Sequence, residues 1–330
     1  MKAKSVVGSS SIWSLRRYSA RQYSLVVLGL LVVAGGILLF AASTSPFASL
    51  VADQGQLANG ATIATGSAAT SDNGKYLQFG STGSGGTVSW YGSFACGCID
   101  PKLYPYSNFI AGHVFPTSDP LGSGRTILQY NIADSDRPYS GATNPRGDVE
   151  SPPTFKPGDD AYVSIPVLVP AAVPSVNGGK WFQVAELYGQ PYGGSPTIGI
   201  DLIADSSGVN HLGLSRDATH NYDEPWQGPA LDGKWHTVIL HVHFATDNTG
   251  FVQIWYDGAQ QKFSNGSTQL NYITLQSGIN WDGTHGNFLD INQYRVAGGF
   301  PGTVTTYHGA PAFGTSLQAV EGTLSSPSGP

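Results

Sequence analysis

Hydrophobic and polar positions alternate along most of this chain. The runs "KYLQFG", "GTVSWYG", "RTILQYNI", "AYVSIPVLV", "KWFQVAELY", "TIGIDLIA", "WHTVILHVHFA", "GFVQIWYDG" and "GNFLDINQYRVAG" each carry a period near two. That period belongs to strands with one buried face. Turn sequences such as "NGG", "DG" and "DNTG" separate the runs. In "TVILHVHFA", Val238, Leu240, Val242 and Phe244 point one way, and Ile239, His241 and His243 the other. In "GFVQIWYDG", Val252, Ile254 and Tyr256 alternate with Gln253, Trp255 and Asp257, and "ATDNTG" joins the two runs as a hairpin. One apolar face per strand predicts an all-β fold, a two-sheet antiparallel β-sandwich. No long run outside the N-terminal segment has a period of 3.6, and no internal repeat is visible.

The N-terminus breaks this pattern. Lys2, Lys4, Arg16, Arg17 and Arg21 precede "LVVLGLLVVAGGILLFAA", residues 25–42, which holds no charge. At about 1.5 Å per helical residue this run nearly spans a bilayer core. It predicts an N-terminal hydrophobic helix that is either a retained membrane anchor or a cleaved signal, with cleavage after Ser43. The basic flank stays cytoplasmic, so the remainder is expected at the cell surface or outside the cell. The organisation predicted is a basic cytoplasmic segment over 1–23, the anchor or signal over 24–42, a spacer over 43–60, a sandwich domain over 61–314 and a disordered tail over 315–330.

Composition agrees with export. The chain is poor in charge (12%) and rich in Gly (43) and Pro (21). The first 42 residues hold five of the 16 basic residues and no acidic one, so the exported part carries a net charge of −11. That balance excludes nucleic acid as a partner, since such a partner needs a basic surface. Cys96 and Cys98, in "SFACGCID", leave three readings open: a disulfide across one glycine, two free thiols, or a metal or redox site.

"GPALDGKWHTVILHVHFATDNTGFVQIWYDG" resembles the Trp-hairpin-Trp-x-x-Gly segment of concanavalin A-like jelly rolls, and is more similar still to the heparin lyase I-like polysaccharide lyases. "NWDGTHGNFLDINQYR" resembles the strand of those enzymes that ends in a Tyr-Arg pair, and "NPRGDVESP" stands where they carry an Arg-x-Glu strand. The likeness runs over roughly residues 65–312. It implies a jelly roll that cleaves a uronate-containing polysaccharide by β-elimination. The alternative on the same scaffold is a non-catalytic carbohydrate-binding protein of the cell surface.

Alternation places the candidate chemistry. Arg146, Asp148 and Glu150 share one face of "RGDVE", and Phe288, Asp290, Asn292 and Tyr294 share one face of "NFLDINQYR". In "KWFQVAELY", Trp181, Gln183, Ala185 and Leu187 fall on one side, with Phe182, Val184, Glu186 and Tyr188 on the other. The resemblance implies a Gln-x-His pair on the cleft side of this strand. Gln183 fits the first position, and Ala185 stands where the His would be. Glu186 is expected to anchor the strand's end unless a bulge turns it into the cleft.

Uronate elimination needs the substrate carboxylate neutralised, a base, and an acid for the departing oxygen. The expected catalytic residues are Tyr294 as acid, Arg146 and Gln183 as donors to the carboxylate, and His285 as candidate base. Asp148, Glu150, Glu186, Tyr188, Tyr192 and Asn292 are expected to bind substrate. His241 and His243 are expected on the outer sheet. No cofactor is implied; a structural calcium ion would suit the fold class, with Asp290 or Asp257 as ligands. The partners expected are a polysaccharide and, through the N-terminal segment, a membrane.

Overall fold

A computed structural model describes residues 61–65, 75–79, 86–189, 196–216, 222–275 and 286–324. The chain divides into two compact units, residues 1–82 and 83–330. In the first, β1 (Ala61–Thr65) and β2 (Lys75–Phe79) form an antiparallel pair. These two strands make a two-stranded sheet of their own. Among the described residues no helix is long and apolar enough to cross a membrane. Residues 25–42 lie outside the described residues.

The second unit is a sandwich of two antiparallel sheets. Its strands in chain order are β3 (Val88–Tyr91), β4 (Val114–Ser118), β5 (Thr126–Ala133), β6 (Arg146–Glu150), β7 (Asp160–Leu168), β8 (Phe182–Gly189), β9 (Ile198–Ala204) and β10 (Asn210–Arg216). There follow β11 (Asp223–Ala230), β12 (Trp235–His243), β13 (Phe251–Tyr256), β14 (Ala259–Gln260), β15 (Leu270–Asn271), β16 (Asn287–Arg295), β17 (Thr303–His308) and β18 (Ala312–Gly314). The front sheet has the order β11-β10-β9-β8-β16-β6. The back sheet runs β14-β13-β12-β7-β17-β5-β4, with β15 on β13 and β18 between β3 and β7.

The core lies between the sheets and follows the alternation. Val238, Leu240, Val242 and Phe244 of the β12 run and Val252, Ile254 and Tyr256 of β13 are buried in it. From the front sheet come Val149, Phe182, Leu187, Leu289 and Ile291. Gly147 sits where β6 crosses close to β4 and β5: a Cβ there would lie 2.7 Å from Val114 and 2.9 Å from Ile132. A glycine is the residue that lets these layers approach.

His241 and His243 face outward on the back sheet, as expected. His241 Nε2 lies 2.6 Å from Asp160, and its ring stacks on Tyr162 at 4.2 Å. Cys96 and Cys98 form a disulfide. The expected disordered tail contains a helix, α1 (Leu317–Leu324). Ser316 Oγ caps it by accepting from the Ala319 amide at 3.2 Å, and Val320 is fully buried. One apolar turn docked on the back sheet orders what composition alone reads as a low-complexity end.

Candidate active site

The face of the front sheet turned away from the core carries the polar residues. Strand pairing arranges them in rows. Arg146 on β6 stands opposite Tyr294 on β16, which stands opposite Gln183 on β8 and then Asp201 on β9. In a second row Glu150 faces Asp290, and Asp290 faces Glu186. Between the rows Asp148 faces Asn292. A cleft of about 570 Å³ opens on this face, lined by Arg146, Asp148, Glu150, Glu186, Asp290 and Tyr294 together with Asn108, Tyr139, Tyr188, Pro196 and Phe288.

Gln183 and Glu186 share this face although they are three residues apart. The reason is a bulge. Gln183 pairs with Asp201 and Ala185 with Ile200, so two steps along β8 match one along β9. Val184 and Ala185 are both fully buried in the core. Glu186 and Tyr188 therefore line the cleft, and the expectation that Glu186 lies opposite Gln183 is corrected. Ala185 does not occupy a cleft position at all. A second register shift, between Ile291 and Tyr294, keeps β16 in step with β6 while it passes the bulge.

Tyr294 is held between two partners. The Arg146 guanidinium carbon lies 4.2 Å from its ring centre, and the Trp181 ring meets it edge-on at 4.6 Å. Arg146 donates from Nε to Asp148 at 2.6 Å and from Nη1 to the Tyr139 hydroxyl at 3.1 Å. Among the described residues lining the cleft, Arg146 is the only cation. Arg295, the neighbour of Tyr294, points the opposite way: it is fully buried and donates to Asp134 and the Ile132 carbonyl. It cannot act on the Tyr294 phenol.

Gln183 and Asn292 are less open than expected. Asn292 is fully buried and its amide donates to Asp290 at 3.1 Å and to Gln183 at 3.3 Å. These two stand behind the lining residues and tie Asp290 to β8; they do not line the cleft themselves. His285 and Tyr192 lie outside the described residues. Among the described residues that line the cleft none is a histidine. His113 is bound 2.5 Å from Asp136.

The carboxyl groups dominate the electrostatics. Burial pushes Glu186 up to about 8, and the charges of Asp148, Asp201 and Glu150 add to that against the opposing pull of Arg146. Burial, then Asp148, Glu150 and Glu186, hold Asp290 well above the usual carboxylate range. Burial raises Asp148 too, against the pull of Arg146. Asp201 is pushed up to about 7 by burial, although the Tyr222 hydroxyl donates to it at 3.3 Å. One oxygen each from Asp148, Glu150 and Asp290 lie within 4.8 Å of one another, a spacing that a divalent cation could bridge. Asp257 is elsewhere, bonded to His236 and the Thr237 amide.

Sequence reasoning missed several lining residues. Tyr139 and Asn108 come from loops, where no periodicity marks a face. Asn108 reaches the cleft by pairing its backbone with Asp148, at 2.8 and 3.0 Å. Asp201, which ends the Arg146–Tyr294–Gln183 row without lining the cleft, was readable as a polar position in the apolar run "TIGIDLIA".

The fold and the sequence both have known counterparts. An endo-β-1,4-glucuronan lyase from the fungus Trichoderma reesei superposes with a TM-score of 0.52 at 17% identity, over 71% of this chain and 98% of that one. An alginate lyase from Aplysia kurodai superposes with a TM-score of 0.42 at 13% identity, over 69% of this chain and 97% of that one. The first likeness establishes the jelly-roll sandwich. No curated protein sequence matches the chain. The family described as "Polysaccharide lyase" matches residues 84–293, which runs from β3 into β16 and takes in every described side chain that lines the cleft except Tyr294, the next residue along. The chain belongs to the polysaccharide lyase family.

Proposed function

We propose that this protein cleaves a uronate-containing polysaccharide by β-elimination, outside the cytoplasm. The observation that carries the reading is the Arg146–Tyr294 pair, a guanidinium and a phenol 4.2 Å apart in one cleft. Elimination removes the proton on the carbon beside the uronate carboxylate and expels the glycosidic oxygen one carbon further on. Arg146 supplies the positive charge that draws the substrate carboxylate and stabilises the charge that develops on it. A base takes the proton from carbon, the role the sequence offers to His285, and Tyr294 hands a proton to the departing oxygen. Tyr188, Tyr139 and Phe288 offer flat faces to sugar rings.

The acidic lining favours a lightly charged polymer. A heparin lyase I-like specificity would bring sulfate groups into a cleft with four carboxyls and one guanidinium. Glucuronan-like or alginate-like polymers, with one carboxylate per sugar, suit it better. The second reading, binding without cleavage, draws on the burial of Gln183 and Asn292, which removes two of the expected carboxylate donors from the open cleft.

The test is absorbance near ~232 nm, where unsaturated uronates absorb, on glucuronan, alginate and heparin. A rise on a non-sulfated polyuronate supports the lyase. No rise on any of them, with sugar binding retained, leaves a carbohydrate-binding protein.

A further inference from the structure

Two of the expected carboxylate donors stand where a substrate cannot use them. Asn292 is fully buried, Gln183 accepts from it, and neither lines the cleft. Arg146 does line it, and most of its guanidinium is engaged. Nε donates to Asp148 at 2.6 Å and Nη1 to the Tyr139 hydroxyl at 3.1 Å. The guanidinium carbon lies 4.2 Å from the Tyr294 ring centre and 5.7 Å from that of Tyr139. Among the described residues Nη2 has no hydrogen-bond partner, so it is the nitrogen left for a ligand.

Tyr139 reaches this arrangement from the loop between β5 and β6, and both ends of that loop are tied down. At its start, Asp136 accepts from the Ala133 amide at 2.9 Å, and Arg137 donates to the Asp134 and Asp136 carbonyls at 2.8 and 2.9 Å. At its end, the Ala297 amide donates to Asn144 at 3.1 Å. Between them the Ala142 amide donates to the Tyr139 carbonyl at 3.2 Å. The Tyr139 side chain is nonetheless 44% exposed. Its hydroxyl oxygen accepts from Arg146, so its own hydrogen points elsewhere, and no described residue accepts it. An uncommitted O–H beside an uncommitted guanidinium nitrogen is a pair of donors suited to the two oxygens of one carboxylate.

We propose that Tyr139 is a specificity-determining residue: its hydroxyl donates to one oxygen of the substrate carboxylate while Arg146 Nη2 donates to the other. This rests on the uronate reading above for the identity of the anion. Tyr139 thereby supplies the donor that Gln183 and Asn292 do not, and its oxygen holds the guanidinium at the angle that leaves Nη2 open. The strand register favours this end of the cleft. Arg146 and Glu150 are the two ends of β6, about 13 Å apart at ~3.3 Å per residue. The acidic row Glu150, Asp290 and Glu186 crosses the sheet at the Glu150 end. Asp148, the acid nearest Arg146, is already engaged by Nε. A carboxylate held by Arg146 and Tyr139 is therefore kept away from the like charges of that row. It also sits beside Tyr294, whose ring packs on the same guanidinium and whose phenol serves the departing oxygen.

The experiment is calorimetric titration of the full chain, carrying Tyr294→Phe to block turnover. The ligands are glucuronan and alginate tetrasaccharides, and the same tetrasaccharides with their carboxyls reduced to alcohols. Adding Tyr139→Phe deletes the hydroxyl and keeps the ring. Affinity for the uronate ligands is expected to fall about 10- to 100-fold, the range for a hydrogen bond to a charged group. Affinity for the reduced ligands is expected to stay as it was. The thermal midpoint is expected to be unchanged, because the side chain is half-exposed. Equal weakening of charged and reduced ligands would overturn the proposal, since a ring that only stacks on sugar or shapes the loop gives that result. So would a Tyr139→Phe chain that binds the uronate ligands as tightly as its parent. The lyase reading stands or falls separately, on whether the unmodified chain raises the ~232 nm absorbance of these polymers. Failure of every uronate tetrasaccharide to bind the parent would sink both.

Discussion

Arg146 joins Asp148 and Tyr294: its Nε donates to the carboxylate at 2.6 Å while its guanidinium lies 4.2 Å from the phenol ring. Asp148 is almost wholly buried, and Arg146 is its charge partner. Arg146→Met therefore leaves a buried carboxyl without that partner. The expected cost is ~3–5 kcal/mol if Asp148 stays ionised, and less if it protonates. Denaturant unfolding of the variant at pH 5 and pH 8 separates the two, since the cost should grow with pH. Arg146→Lys keeps the charge and loses the planar contact with Tyr294; its kcat/KM should fall by ~10-fold or more.

Tyr294 makes its described contacts through its ring. Tyr294→Phe keeps those contacts and removes only the hydroxyl. The thermal midpoint should be unchanged, and kcat should drop by ~10²–10⁴ with KM little altered. A variant that retains cleavage would assign the acid to another group.

Ala185 occupies the core and not the cleft. Ala185→His, which would recreate a Gln-x-His pair in sequence, is expected to overpack the interior and cost ~1–3 kcal/mol or more. It should not raise activity at any pH. A gain of activity would mean that the bulge at Val184 is absent in solution.

Stability should fall as pH rises. Glu186 in the folded chain holds its proton to about 8, whereas in the unfolded chain it ionises near the ordinary value. The unfolded state therefore binds fewer protons between roughly pH 4 and 8, and the stabilisation present at low pH is lost over that window. Asp201, pushed up to about 7, acts with the same sign. Glu186→Gln should melt at a temperature near that of the unaltered chain at pH 4.5 and above it at pH 8.5. Scanning calorimetry at the two values checks the crossover.

Most of the sandwich was legible in the chain. The alternation in β6, β12, β13 and β16 assigns each side chain to the face it occupies, because each of those runs keeps a regular period of two. From it came Arg146, Asp148, Glu150, Asp290 and Tyr294. β8 was misread because a bulge has no composition of its own: it appears only when the register of the neighbouring strand is known. Loop residues such as Tyr139 and Asn108 were illegible for a related reason, since they reach the cleft through tertiary pairing. The helix at Leu317–Leu324 was hidden by the small residues around it, and its docking through Val320 is a long-range event.

The extra residue in β8 acts as a frameshift in the strand. Before it, even-numbered side chains go to the core (Phe182, Val184); after it, odd-numbered ones do (Ala185, Leu187). Deleting one residue at this point would exchange the two sets downstream, driving Glu186 inward and Leu187 outward. Matched position by position, this strand goes out of phase after Val184 with any strand that lacks the extra residue. The histidine expected two residues after Gln183 would fall in the core at Ala185, and the cleft position belongs to Glu186.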